Sequence, residues 1–206
     1  MTKDLYQNKY AILINKENPI PDAYYKTLKI VKATNDEGVA VPIEEKTAEA
    51  FASLKAEVAG TELDVLLYSG YRSLERQASL YARFLSELGL DLAEARVANP
   101  GCSEHNAGIG LDISVKIDDV WQDDFDSEEC VPKLEALHGK LFRHGFILRY
   151  PKGKESVTGY SYEPWHIRYV GRELAGYMYQ KGLTLEELWG DEAGRSVMGS
   201  CDSSAK

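Results

Sequence analysis

The stretch NPGCSEHNAGIGLDISVKI, residues 99–117, runs from a loop of small residues into a predicted β-strand. Its second half alternates apolar and polar residues with period two, which is typical of a half-buried strand. His105 and Asp112 lie seven positions apart on this path, so a turn between them can bring both side chains to one point. Gly108 and Gly110 leave room for that turn and for the close approach of an ion. The stretch therefore predicts two metal ligands near the start of a strand.

A second stretch, YEPWHIRY at residues 162–169, supplies a third nitrogen ligand and a further carboxylate. A catalytic zinc ion takes three protein ligands and keeps one position for water. His166 would be the third ligand. Glu163 precedes it by three positions, and residues three apart on an extended segment face opposite sides. A kink at Pro164 can bring Glu163 round to the metal-bound water, where a carboxylate serves as general base and then as acid. Together the two stretches predict a hydrolytic site with one Zn²⁺ per chain.

These residues taken alone leave other interpretations open. His105 could be an ordinary loop histidine, Asp112 a charge at a strand edge, and Glu163 with His166 a surface pair. Cys102, three positions before His105, could also be a ligand. A loop cysteine beside Pro-Gly is more often a small packed residue.

The stretch SGYRS, residues 69–73, follows a predicted buried strand and precedes an amphipathic helix, which is a common place for a functional loop. Arg72 presents a planar, permanently charged group that could bind a substrate carboxylate or an oxyanion. Gln77 lies five positions further on and could point toward the same cleft. The alternative for Arg72 is a surface salt bridge to Glu75 or Glu62.

The rest of the chain predicts an α+β fold, a single small domain with a mostly antiparallel sheet flanked by helices and the zinc site at the sheet edge. Helices are predicted over 44–58, 73–88, 132–144, 172–181 and 184–189, and strands over 11–14, 63–68, 109–117, 146–150 and 165–170. In the helix over 73–88, apolar residues recur at steps of four and three, which is typical of an amphipathic helix.

The domain organisation is predicted from composition. Prolines, Gly38 and the turn signal at 35–38 predict an extended amino-terminal arm over 1–42, packed on a main domain over 43–190. A small, polar, flexible tail is predicted over 191–206.

Charge and hydropathy exclude several classes of partner. The 206 residues carry a formal net charge of −9, which disfavours nucleic acid and anionic membrane surfaces. No run approaches the roughly 18 apolar residues of a membrane span, and the first residues lack the apolar core of a signal peptide. We expect a cytoplasmic protein if the chain is full length, and a cell-envelope protein if a signal segment was removed. The 3 cysteines show no paired spacing and predict no disulfide framework.

Three segments in this order, SGYRS with Gln77, PGCSEHNAGIGLDIS and GFILRYPKGKESVTGYSYEPWHIRYVG, resemble the zinc D,D-carboxypeptidase and D,D-dipeptidase family. This family includes the VanY and VanXY types and the L,D-carboxypeptidases that trim peptidoglycan stems. The family patterns S-x-H-x6-D and E-x-W-H are both intact here. The resemblance runs from about residue 63 to 171, and residues 13–25 also resemble the family's amino-terminal arm.

The resemblance implies a role for each matching residue. His105, Asp112 and His166 would bind zinc, Glu163 would activate the water and protonate the leaving amine, and Arg72 would stabilise the oxyanion or hold the scissile carbonyl. Substrate contacts are expected from Ser103, Gln77, Trp165, Tyr160 and Ser161. Trp165 is equally well explained as a core aromatic residue.

The implied activity is release of terminal D-alanine from peptidoglycan precursors or stem peptides by a D,D-carboxypeptidase, with D,D-dipeptidase activity as a second reaction. Two alternatives stay open. One is an L,D-carboxypeptidase acting on tetrapeptide stems, and the other is a non-catalytic, zinc-containing module that binds the cell wall. Oligomeric state is not indicated by the sequence.

Overall fold

The computed structural model describes residues 8–122, 124, 125 and 127–190. The strands in these ranges are β1 (Ile30–Thr34), β2 (Ala40–Glu44), β3 (Val65–Ser69), β4 (Gly110–Ile117), β5 (Val120–Trp121), β6 (Phe146–Leu148) and β7 (His166–Tyr169). The α-helices are α1 (Asp22–Tyr25), α2 (Glu45–Val58), α3 (Leu74–Leu88), α4 (Leu90–Arg96), α5 (Cys130–Leu141), α6 (Glu155–Thr158), α7 (Arg172–Lys181) and α8 (Leu185–Gly190). Short 3₁₀ helices cover Lys9–Ala11, Glu104–Ala107 and Phe142–His144.

The main sheet has the strand order β3-β4-β7-β6, and β5 pairs with β4 outside this path. All of its pairings are antiparallel. β1 and β2 form a separate antiparallel hairpin. The predicted α+β class with an antiparallel sheet is therefore confirmed. Asp112 faces His166 in the register of β4 and β7, the two inner strands, and His166 is the first residue of β7. The predicted position of the zinc site at the sheet edge stays a prediction.

The two faces of β4 and β7 have different partners. Leu111 and Ile113 point into the main core, where they meet the fully buried Leu54 of α2 and Leu134 and Leu137 of α5. Burying one side chain of this size contributes about 1.5–3 kcal/mol. Because side chains alternate along a strand, the opposite face is left for polar residues. The candidate site is built on that opposite face.

Two predicted helices begin as the sequence indicates. Glu44 caps α2, because its carboxylate accepts hydrogen bonds from the backbone N–H groups of Lys46 and Thr47. Thr184 and Glu187 form a capping box before α8, since each side chain accepts a hydrogen bond from the other's backbone N–H.

The helix α3 is confirmed, but its apolar positions are not the buried ones. Leu74, Leu85 and Leu88 are exposed, and Gln77 is the buried residue of this helix. α3 packs mainly against the short helix α4 and forms an outer wall of the cleft, so its apolar positions are not covered by the sheet.

The strand predicted over 11–14 is also wrong. The chain forms the 3₁₀ helix Lys9–Ala11 and then an irregular segment. The guanidinium group of Arg168 donates hydrogen bonds to the carbonyls of Tyr10 and Ile12, and that of Arg149 donates to the carbonyl of Ile14. Side chains thus occupy the backbone acceptors that a neighbouring strand would need.

The predicted extended arm contains the β1–β2 hairpin, and its boundary at residue 42 falls within β2. The division into arm, domain and tail stays a prediction. The tail over 191–206 and residues 1–7 lie outside the described residues. Within the described part of the chain, no helix is both long and apolar enough to cross a membrane.

Candidate active site

The three candidate metal ligands converge above the sheet. His105 Nε2 lies 3.3 Å from Asp112 Oδ2, and His166 Nδ1 lies 3.1 Å from Asp112 Oδ1. One donor atom from each residue lies within 4.8 Å of the other two. A tetrahedral zinc ion with bonds of about 2.0–2.2 Å holds neighbouring donor atoms about 3.3–3.6 Å apart. The two short distances end on different oxygens of Asp112, and one donor atom per residue gathers within 4.8 Å. Two imidazoles and a carboxylate at this spacing are a donor set that suits zinc and leaves one position for water.

His105 is oriented by the backbone of a neighbouring loop. It lies in the 3₁₀ helix Glu104–Ala107, and its Nδ1 is 2.7 Å from the carbonyl oxygen of Gly70. Because a carbonyl only accepts, Nδ1 carries the proton and Nε2 keeps its lone pair. A Cβ at position 70 would stand 2.4 Å from the carbonyl oxygen of Pro42, so only glycine fits there.

His166 contacts a second buried carboxylate, that of Glu104, which was not among the predicted site residues. Its Nε2 lies 3.3 Å from Glu104 Oε2. The other oxygen of Glu104 accepts hydrogen bonds from the guanidinium groups of Arg149 and Arg168, and all three of these side chains are fully buried. Burial would raise the pKa of Glu104, but the two guanidinium groups outweigh it and hold that pKa below its usual range.

Glu163 lies beside the candidate ligands without joining them. Its Oε2 is 3.8 Å from His166 Nδ1, and the side chain is largely buried. Two contacts fix the turn around Pro164: the N–H of His166 donates to the carbonyl of Glu163, and His138 Nε2 lies 2.9 Å from the carbonyl oxygen of Pro164. The turn brings Glu163 and His166 to the same side, as the predicted kink requires.

Arg72 reaches the site from the loop between β3 and α3. One of its nitrogens is 3.7 Å from Asp112 Oδ2, and another donates a hydrogen bond of 2.9 Å to Gln77 Oε1. Gln77 in turn donates to the carbonyl of Ala98, so its amide ties Arg72 to the wall of the cleft. Asn106 donates to the carbonyl of Arg72 and fixes the loop itself. The alternative pairing of Arg72 with Glu75 or Glu62 is not the arrangement in this fold.

The charges of the candidate ligands depend on one another. Burial would raise the pKa of Asp112, but the two histidines outweigh this and hold it well below its usual range. Burial lowers the pKa of His105. Burial also acts to lower the pKa of His166, but hydrogen bonds to Asp112 and Glu104 raise it to about 9. The site thus offers a carboxylate and a neutral imidazole, and His166 must lose its proton when a cation binds.

The remaining predicted residues line one cleft of about 460 Å³ together with the candidate ligands: Ser103, Gln77, Trp165, Tyr160 and Ser161. The hydroxyl group of Tyr160 is buried and, among the described residues, has no hydrogen-bond partner. Trp165 both lines the cleft and packs against the main core, which combines its two proposed roles. Direct contacts of these side chains with substrate stay predictions.

The acidic segment after β5 contributes to the cleft as well. Phe125 lines it and packs against Trp165 and Tyr68, with ring centroids 5.7 and 4.9 Å apart. One aromatic residue among many acidic ones attaches this segment to the site, although charge runs usually face water.

Sequence reasoning missed Glu104, Asn106, Tyr150 and the two buried arginines. Tyr150 stacks near His166, with ring centroids 5.1 Å apart. A signal was available for the arginines, because Arg149 and Arg168 each interrupt an otherwise apolar strand segment. Such charges need buried partners.

Three candidate metal ligands, with a further carboxylate beside them and a guanidinium group on the wall of the cleft, are the arrangement expected of a metallohydrolase, here in an α+β fold. Residues 40–172 match the family described as VanY, D-alanyl-D-alanine carboxypeptidase. The chain belongs to this family, which confirms the resemblance seen in the sequence and the predicted peptidase class.

Relatives and solved structures agree with the family match. The bifunctional D-Ala-D-Ala dipeptidase and D-Ala-D-Ala carboxypeptidase VanXYC of Enterococcus gallinarum is 35% identical over 180 residues, covering 85% of this chain and 90% of VanXYC. A D-alanyl-D-alanine carboxypeptidase of Enterococcus faecalis is 34% identical over 190 residues, covering 88% of this chain but 66% of that protein. A similar solved structure is a point mutant of the D,D-pentapeptidase VanY from a VanB-type resistance cassette, in complex with Zn(II). It has a TM-score of 0.69 and 32% sequence identity to this chain, and the match covers 87% of this chain and 98% of that chain.

Proposed function

We propose that this chain is a zinc-dependent D,D-carboxypeptidase that releases terminal D-alanine from peptidoglycan precursors or stem peptides, and that it also cleaves free D-Ala-D-Ala. The observation that carries the proposal is the convergence of His105, Asp112 and His166, with Glu163 beside His166 and Arg72 beside Asp112. The zinc-bound VanY structure and the bifunctional activity named for VanXYC support the metal and the substrate class.

His105 Nε2, Asp112 and His166 Nδ1 would hold the zinc ion. When bound, zinc lowers the pKa of a coordinated water to about 7 and polarises a carbonyl. Glu163 accepts the proton of the attacking water and then donates it to the leaving amine of D-alanine. Its carboxylate lies close enough to the ligands to reach such a water, with Oε2 3.8 Å from His166 Nδ1.

Arg72 would stabilise the negative charge that develops on the scissile carbonyl. Its side chain is only 15% exposed, so its charge acts in a region with little water. Gln77 and Asn106 hold it by a side-chain and a backbone contact, so little reorganisation is needed during the reaction.

The cleft suits a small anionic peptide. Arg83 and Arg96 line it together with Arg72, which offsets the net charge of −9 where a substrate carboxylate must enter. Ser103, Tyr160 and Ser161 line the same cleft. The serine hydroxyl groups would supply hydrogen bonds for a peptide end that carries both an amide and a carboxylate.

The test is D-alanine release by the zinc-loaded protein from three substrates: free D-Ala-D-Ala, a pentapeptide ending in D-Ala-D-Ala, and a tetrapeptide ending in a single D-Ala. Release from the pentapeptide supports the D,D-carboxypeptidase, and additional release from the dipeptide supports the second reaction. Release from the tetrapeptide alone would assign the L,D-carboxypeptidase activity instead. A protein that binds zinc but cleaves none of the three would refute the proposed function and favour a binding module.

A further inference from the structure

We propose that Glu104 is a positioning residue that fixes the tautomer of His166, so that Nδ1 rather than Nε2 faces the metal. The inference rests on the metal site of the proposed function and adds a residue that does not touch substrate or metal. Its evidence is the arrangement of hydrogen-bonding groups around the imidazole of His166.

The two nitrogens of His166 face two different carboxylates. Nδ1 lies 3.1 Å from Asp112 Oδ1, and Nε2 lies 3.3 Å from Glu104 Oε2. A neutral imidazole has one N–H, and a carboxylate can only accept. When a metal binds beside Asp112, Nδ1 of His166 must be unprotonated to bind it. The one N–H of the ring is then on Nε2, which donates a hydrogen bond to Glu104. The lone pair of Nδ1 is then directed at the metal.

Glu104 cannot easily turn away from His166. Its other oxygen accepts from Arg149 Nε at 2.6 Å and also from a guanidinium nitrogen of Arg168. The two arginines are held in turn, Arg168 by the carbonyls of Tyr10 and Ile12 and Arg149 by the carboxylate of Glu186.

Close packing on the strand beside it adds to this constraint. A Cβ at Gly110 would stand 2.8 Å from the Cβ of Glu104 and 3.0 Å from Nε2 of His166. The backbone of β4 therefore holds the carboxylate and the imidazole against each other. Outer carboxylates of this kind typically change metal affinity by about 10–100-fold when they are removed.

A purely structural role is the competing explanation, because Glu104 also neutralises two buried arginines. Glu104→Gln separates the two roles. Arginine can only donate, so the new amide oxygen would face Arg149 and Arg168, and the amide NH₂ would face Nε2 of His166. That arrangement favours a proton on Nδ1 and works against metal binding. Glu186→Gln is the matched control, because Glu186 binds Arg149 in the same network and contacts neither His166 nor Glu104.

The experiment measures the zinc dissociation constant by competition with a chromophoric chelator for the wild type, Glu104→Gln and Glu186→Gln, with folding checked by circular dichroism. We expect a weakening of about 10–100-fold for Glu104→Gln and less than threefold for Glu186→Gln. A dissociation constant for Glu104→Gln within threefold of the wild type would overturn the inference. Equal weakening in both variants would also overturn it, since the arginine network alone would then explain the effect. Absence of zinc binding by the wild type would refute the proposed function and this inference together.

A measurement on the zinc-loaded wild type covers the case in which Glu104→Gln does not fold. Long-range ¹H–¹⁵N spectra of the histidine rings report which nitrogen carries the proton. We expect one zinc-bound ring protonated on Nδ1, from His105, and one protonated on Nε2, from His166. Two zinc-bound rings both protonated on Nδ1 would refute the role of Glu104.

Discussion

Glu163→Ala is the sharpest test of the proposed chemistry, because it should separate metal binding from turnover. Oε2 of Glu163 lies 3.8 Å from His166 Nδ1, whereas His105 and His166 are 3.3 and 3.1 Å from the oxygens of Asp112. The variant therefore keeps the complete set of candidate ligands. We expect it to bind one zinc ion per chain.

The expected loss of activity follows from the two proton transfers assigned to this one carboxylate. A positioned acid or base contributes about 10²–10⁴-fold to a rate. Glu163 acts as base in the attack and as acid for the leaving amine, so we expect the upper end, a fall in kcat/KM of about 10⁴-fold or about 5.4 kcal/mol.

The assay follows D-alanine release from the pentapeptide at matched zinc content, measured by atomic emission. Glu155→Ala is the control, since Glu155 is an exposed glutamate in the same connection between β6 and β7. We expect the control to retain wild-type kcat/KM. If Glu163→Ala kept more than a tenth of the wild-type value with zinc bound, another group would be moving the protons and the assignment of Glu163 would be wrong.

Three further predictions concern the same site. Arg72→Lys should lower kcat/KM by about 10²-fold at unchanged zinc content, because a lysine keeps the charge but not the planar fork; an activity loss below threefold in the peptide assay would contradict this. Gly110→Ala should weaken zinc binding in a chelator competition and lower the free energy of unfolding by about 1–3 kcal/mol, because the new Cβ would stand 2.8 Å from that of Glu104. Gly176→Ala is the control, because position 176 has open space around it, and we expect it to change neither zinc binding nor stability in this direction. Zinc affinity should rise by about tenfold per pH unit from pH 7 and level off near the His166 pKa of about 9, because below that pKa a proton competes with the metal for Nδ1; a flat profile in isothermal titration between pH 7 and 9 would refute this.

Elements with a clear local pattern could be predicted from the sequence. The helix α5 follows from the spacing of Leu134, Leu137 and Leu141, and all three are buried against the sheet. The strand β4 follows from its period of two, and the capping box of Thr184 and Glu187 from residue types at fixed spacing. In these cases neighbours in sequence decide the structure.

Where the structure differs from the local sequence pattern, contacts with residues distant in sequence decide it. α3 has a good amphipathic pattern, yet its buried residue is Gln77, because the helix lies against the cleft and not on the sheet. Residues 11–14 have the composition of a strand, but their carbonyls are bound by side chains more than 130 positions away, from Arg149 and Arg168. Glu104 pairs with residues 45, 62 and 64 positions away, and no local pattern indicates those contacts.

The same long-range contacts explain how the site is organised before a metal arrives. His105 is fixed by the carbonyl of Gly70, His166 by Glu104, and Arg72 by Gln77, so each functional side chain has a partner on a different element. The ligand geometry is then set by the packing of the fold, and the energy of metal binding need not be spent on ordering these side chains. A site of this kind should hold its metal tightly and keep its shape when the ion is removed. The main change that metal binding requires is the loss of a proton from His166. Metal binding should therefore respond more strongly to pH than to other conditions.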